Sequence, residues 1–176
     1  MKSRIPIELV VPVLAAISCL LMKVGVGLPV WAVFLGWAWY FALGATPSAF
    51  KQIYPVIIPG AVLAGLCFWL MGFFAQVGIG GMPGTMLSVF ITVVLLMLML
   101  RIPATSASLP AFNAYSTVFA LYVIPNSFPD LGVNPILSCV IWAIIANALG
   151  PIFGYLSIYL TFPAKVEEEQ KKQASV

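Results

Sequence analysis

The stretch that decides the fold is residues 52–100, QIYPVIIPGAVLAGLCFWLMGFFAQVGIGGMPGTMLSVFITVVLLMLML, which contains no charged residue. Residues 102–129 and 131–164 are also free of charge. A helix needs about 18 or more apolar residues to cross a hydrocarbon core of about 30 Å. The chain as a whole is 62% hydrophobic and 7% charged, whereas soluble domains are about half apolar and a quarter charged. Such a chain belongs in a lipid bilayer.

The apolar runs are continuous, which favours helices, because membrane β-strands alternate apolar and polar residues. We therefore predict an all-α, polytopic transmembrane helix bundle. Glycine, proline and charged residues divide it into about six segments: residues 5–22, 29–44, 54–75, 85–100, 111–124 and 134–162. Residues 1–164 form the membrane domain in this interpretation, and residues 165–176 form a short, charged cytoplasmic tail.

The basic residues predict the orientation. With six segments both termini lie on the same side of the membrane. If that side is the cytoplasm, only Lys23 lies outside, and the other seven basic residues lie inside. This is the asymmetry that the positive-inside rule expects. The prediction is a multi-pass protein of the cell inner membrane with both termini in the cytoplasm.

The fifth segment departs most from a regular span. Residues 101–113 contain two prolines and several hydroxyl side chains, and each proline removes a helix hydrogen bond. One interpretation is a broken or re-entrant helix that lines a solute path through Asn113, Tyr115, Ser116 and Thr117, since irregular backbone at membrane depth lines cavities. The other interpretation is a cytoplasmic loop followed by a short, tilted span.

The sixth segment contains Pro151, which would free the backbone carbonyl of Asn147 four residues earlier. The Asn147 side chain adds a carboxamide at the same place. Ala146, Gly150 and Gly154 recur every fourth residue and make a smooth strip for close helix contact. The sequence leaves two alternatives open: a kink used for packing, or a solute path that joins Asn147 to Asn113.

Aromatic residues at helical spacing mark the second segment, where Trp37 and Tyr40 lie on one helix face. This face either binds a solute or packs against neighbouring helices.

Enzymatic catalysis is argued against by the composition, because there is no histidine and the acids outside the tail are Glu8 and Asp130 alone. The three cysteines match no metal or redox spacing. We expect no enzymatic activity, no metal, no cofactor and no nucleic-acid partner.

These exclusions leave two functions. One is a channel or facilitator for a small polar solute, and the other is a non-transporting membrane subunit or scaffold. Six short helices make a thin wall around a polar path, so we also expect a homo-oligomer in the lipid bilayer.

The run WAVFLGWAWY at residues 31–40, continued by FALG, resembles a motif of the domain-of-unknown-function family 1097 of small bacterial inner-membrane proteins. The LPAF run at residues 109–112 and the GPIFGY run at residues 150–155 are similar to later parts of that family's pattern, in which an ordinary apolar residue takes the place of Pro151. The resemblance implies about six spans and no catalytic residues.

Overall fold

The computed structural model describes residues 5–22, 27–124 and 128–162. Within these ranges the chain forms six α-helices and no strand, so the prediction of an all-α helix bundle is confirmed. A 3₁₀ turn, Cys19–Met22, extends the first helix, and another, Pro103–Thr105, precedes the fifth. The helices are α1 Ile7–Ser18, α2 Val30–Ala42, α3 Ser48–Gln76, α4 Gly81–Met99, α5 Ser108–Val123 and α6 Pro135–Thr161.

Three of these helices, α3, α4 and α6, are long enough and apolar enough to cross a membrane. Helices α1 and α2 are apolar but shorter. Large apolar side chains cover the outside of these helices: Met86 and Phe90 of α4, for example, are each 66% exposed. Such a surface is stable in lipid and unstable in water. The chain is a membrane protein.

Helix α3 begins at Ser48, six residues before the predicted start at Tyr54. The predicted segment, residues 54–75, left Lys51 outside the span and placed Pro55 at its second position, and the structure corrects this start. Both residues lie inside the helix, as does Pro59. Lys51 is exposed in the first turn, where a long side chain reaches the membrane surface.

The fifth helix is not broken within its described length. It runs without interruption from Ser108 to Val123, and it begins three residues before the predicted start. Pro110 is the third residue of the helix, where backbone N–H groups have no partner within the helix, so the missing N–H costs little. The irregular backbone is confined to residues 101–107, which include the 3₁₀ turn.

The chain divides into two compact units. The first contains the described parts of residues 1–54 and 145–176, and the second contains residues 55–144. The first unit therefore holds α1, α2, the first turns of α3 and the second half of α6. The second unit holds most of α3, with α4, α5 and the start of α6. The single membrane domain over residues 1–164 stays a prediction, and the tail lies outside the described residues.

The core of the second unit forms where α3, α4 and α5 meet. Val56, Leu96 and Ala111 are completely buried there, one from each helix. Along α4 the buried positions are Gly84, Ser88, Thr92 and Leu96, one in every four residues. The small residues among them let the neighbouring helices approach closely, which is how membrane helices gain packing energy.

Candidate functional site

In the first unit, α2 packs directly on the second half of α6 through glycine. A side-chain carbon added to Gly36 would collide with the carbonyl oxygen of Asn147 and lie 3.1 Å from the Cα of Gly150. A carbon added to Gly150 would collide with the backbone of α2 at Val33 and Trp37. The carbonyl of Asn147, four residues before Pro151, therefore faces Gly36, and the glycines of α6 serve close packing.

The aromatic face of α2 also packs on α6. The Trp37 ring lies 5.6 Å from the Phe153 ring, and its Nε1 donates a hydrogen bond of 3.3 Å to the Ser157 hydroxyl. The predicted contact strip continues at Gly154, where an added carbon would lie 2.7 Å from the Cβ of Tyr40. The Trp37 ring and the Cβ and ring of Tyr40 thus pack against α6.

Two polar atoms of α2 are buried in the first unit without a hydrogen-bond partner among the described residues. They are Nε1 of Trp39 and the hydroxyl of Tyr40. Trp39 is 2% exposed, and Tyr40 is fully buried. Polar groups with this degree of burial nearly always have a partner. The sequence analysis singled out Tyr40 for its ring but missed the indole N–H of Trp39, since burial of one particular indole among several on α2 cannot be read from composition.

In the second unit, the polar residues of α5 are divided between buried and exposed positions. Tyr115 and Thr117 are buried, Asn113 is partly buried, and Ser116 is exposed. The Thr117 hydroxyl donates 2.8 Å to the carbonyl of Asn113 within the same helix. Asn147, by contrast, is fully buried in the first unit. The solute path joining Asn113 to Asn147 stays a prediction.

Tyr115 is the centre of a buried polar cluster in the second unit. Its hydroxyl lies 2.9 Å from the hydroxyl of Thr92 and also interacts with the thiol of Cys67. Thr92 in turn donates 2.8 Å to the carbonyl of Ser88. The sequence analysis missed Thr92, although hydroxyl and small residues at every fourth position of an otherwise apolar helix were a usable signal.

Two open apolar cavities lie along the second unit, where α3 faces the start of α6. One has a volume of about 280 Å³ and the other about 190 Å³. Trp69 and Ile136 line both of them. Their walls contain none of the predicted path residues.

The ionisable groups within the described residues are few and scattered. Asp130 is exposed and accepts a hydrogen bond from the backbone N–H of Gly132. The cysteines are free, with Cys67 and Cys139 buried and Cys19 exposed. Among the described residues, no group of three or more histidine, cysteine or acidic side chains is positioned to hold a metal ion.

Comparison with known proteins places the chain in a family. Residues 8–162 match the family described as "Protein of unknown function (DUF1097)". No curated protein and no solved structure matches the chain. The match extends from α1 to the end of α6 and covers most of the chain. This helical membrane protein therefore belongs to the DUF1097 family.

Proposed function

We propose that this protein is a channel or facilitator for a small, uncharged polar solute, and that it carries out no chemistry on that solute. We further propose that it lies in the cell inner membrane as a homo-oligomer, with both termini in the cytoplasm. The distribution of basic residues along the sequence supports this orientation.

The observation that carries the proposal is the pair of polar atoms on α2, Nε1 of Trp39 and the hydroxyl of Tyr40. A buried polar atom without a partner costs about 1–3 kcal/mol. Two such atoms on one membrane helix are costly, and each would be satisfied by a hydrogen bond to a polar solute or to a water molecule. An indole N–H donates, whereas a phenol hydroxyl donates or accepts. The pair therefore suits a neutral solute that carries both an acceptor and a donor, such as a small amide or a polyol.

The composition supports a passive path. A proton-coupled carrier usually needs an ionisable side chain at membrane depth. Glu8 and Asp130 are both exposed, at the start of α1 and in the loop before α6. The chain has no histidine that could act as a base or activate a nucleophile.

Flux measurements test this function. The purified protein is reconstituted in liposomes, and osmotic swelling is followed with a panel of small amides and polyols. We expect at least one solute to enter faster than it enters protein-free liposomes. Trp39→Phe and Tyr40→Phe should each lower that flux about fivefold, which corresponds to the loss of one hydrogen bond of about 1 kcal/mol.

The matched controls are Trp31→Phe and Tyr159→Phe, which remove the same polar atoms from side chains that are 37% and 42% exposed. Both controls should leave the flux unchanged. Permeability equal to that of empty liposomes for the whole panel would refute the proposal. If a specific protein partner is then recovered from native membranes, the non-transporting subunit becomes the better interpretation.

A further inference from the structure

The two halves of the chain contain a similar sequence run, identical at five of ten positions. Residues 41–50 read FALGATPSAF, and residues 119–128 read FALYVIPNSF. Phe, Ala, Leu, Pro and Phe recur in the same order at a constant spacing of 78 positions. Phe34 and Phe112 also match at this spacing. The run begins in the last turn of α2 in the first half and in the last turns of α5 in the second, so the likeness starts in equivalent helices.

Burial repeats at the same spacing in α2 and α5. Six positions are buried in both helices when each residue is compared with the one 78 positions later. The pairs are Ala32 and Pro110, Val33 and Ala111, Gly36 and Ala114, Trp37 and Tyr115, Trp39 and Thr117, and Tyr40 and Val118.

Burial also repeats between α3 and α6, at a spacing of 90. The spacing grows by 12 because the loop before α6 is six residues longer than the loop before α3, α5 ends three residues later than its equivalent position, and α6 begins three residues earlier. The pairs of residues buried in both helices are Ile53 and Ala143, Val56 and Ala146, Ile57 and Asn147, Gly60 and Gly150, Ala61 and Pro151, Ala64 and Gly154, and Cys67 and Ser157.

Helical periodicity alone would align buried faces, but the contacts between particular residues repeat as well. In the first unit, Gly150 packs against α2 at Val33 and Gly36. In the second unit, a side-chain carbon on Gly60 would lie 2.6 Å from the carbonyl oxygen of Ala111 and 3.2 Å from the Cβ of Ala114. Gly60 is equivalent to Gly150 at the spacing of 90, and Ala111 and Ala114 are equivalent to Val33 and Gly36 at the spacing of 78.

A polar contact also repeats, about two turns farther along α6 and α3. Trp37 donates to Ser157 in the first unit, and the equivalent pair in the second unit, Tyr115 and Cys67, also interacts through its side chains. The boundary between the two units repeats at the same spacing of 90, because it divides α3 before Pro55 and α6 before Ile145. Each unit thus combines the first two helices of one half with the end of the third helix of the other half.

We propose that the chain is a duplication of one three-helix element, and that the two copies, α1–α3 and α4–α6, cross the membrane in opposite directions. Three crossings per copy reverse the direction of the second copy, and inverted repeats of this kind are a common architecture of membrane transporters. The inference rests on six crossings and stands whether or not the protein transports a solute.

The basic residues distinguish this arrangement from its alternative. If the short helices α2 and α5 did not cross, both copies would point the same way, and Lys23, Lys51 and Arg101 would all lie opposite the termini. That topology leaves five basic residues inside against three outside. Six crossings leave seven against one, which agrees much better with the positive-inside rule.

Sided labelling tests the inversion at equivalent positions. Val24→Cys and Ile102→Cys lie 78 positions apart, each directly after a basic residue that is left intact. Both are made in a Cys19→Ser background, in which the cysteines left within the described residues are buried. Sealed cells and inside-out vesicles are treated with a membrane-impermeant maleimide.

We expect residue 24 to react only in sealed cells and residue 102 only in inside-out vesicles. Reaction of both from the same face would overturn the inversion. A position that reacts from neither face, but does react after denaturation in detergent, would lie within the membrane and would also contradict it. Solute flux is not needed for this test, so failure of the transport proposal remains a separate result.

Discussion

Replacing Gly150 by alanine should destabilise the protein by about 2 kcal/mol. The added carbon would collide with backbone atoms of α2 at Val33 and Trp37, and backbone cannot rotate away as a flexible side chain can. Overpacking of this kind costs about 3 kcal/mol at the upper end of its usual range. Alanine recovers about 1 kcal/mol of helix propensity relative to glycine, which gives the net value.

The matched control is Gly72→Ala, also inside a long helix, where the added carbon meets no atom within 4 Å. This variant keeps the gain in helix propensity without the collision, so it should be as stable as the parent protein or about 1 kcal/mol more stable. Unfolding is followed in mixed detergent micelles by the reaction of the buried thiols of Cys67 and Cys139 with a fluorescent maleimide. If Gly150→Ala unfolds at the same detergent fraction as Gly72→Ala, the close contact between α2 and α6 is wrong.

The same unfolding assay checks three further predictions. Ser157→Ala leaves Nε1 of Trp37 buried without its acceptor and should lower the free energy of unfolding by about 1–3 kcal/mol; an unchanged midpoint would show that the hydrogen bond is not formed. Tyr115→Phe removes the hydroxyl at the centre of the polar cluster and should cost about 1 kcal/mol, and a stabilised variant would contradict that placement. Leu96→Ala creates a cavity at a fully buried position and should cost about 2 kcal/mol, whereas Leu98→Ala, at a position that is 49% exposed, should change stability by less than about 0.5 kcal/mol; equal effects would mean that α4 is rotated.

The number and kind of helices could be predicted from the sequence, because a stretch as long and uncharged as residues 52–100 is stable in a lipid bilayer and not in water. Helix ends were less predictable. Lys51 and Pro55 are usual signs of a helix end, yet α3 passes through both. In a membrane protein a lysine near a helix end reaches the surface, and neighbouring groups compensate for the hydrogen bond that a proline removes.

Of the predicted site, the packing role of Gly150 and Gly154 could be foreseen from their spacing, but their partner helix could not. A strip of small residues indicates that a neighbouring helix packs closely, but it does not identify that helix. The partner, α2, comes from the other half of the chain. The repeated run that begins at Phe41 and again at Phe119 was the signal that relates the two halves. Internal similarity of this kind indicates that a contact found in one half recurs in the other, but it does not identify the helices that make the contact.

The most direct test of the account is whether α2 packs against α6, and α5 against α3, in the native membrane. Two cysteine pairs at equivalent positions are compared, Tyr40→Cys with Gly154→Cys and Val118→Cys with Ala64→Cys. A protease site in the loop at residues 77–80 separates the two copies after oxidation. We predict that both pairs hold the cleaved halves together until a reductant is added. A third variant combines Tyr40→Cys with Ala64→Cys, which lie in the same copy. If neither of the first two pairs holds the halves together and this third pair forms a disulfide, then the second helix of each copy does not pack against the third helix of the other copy, and the account is contradicted.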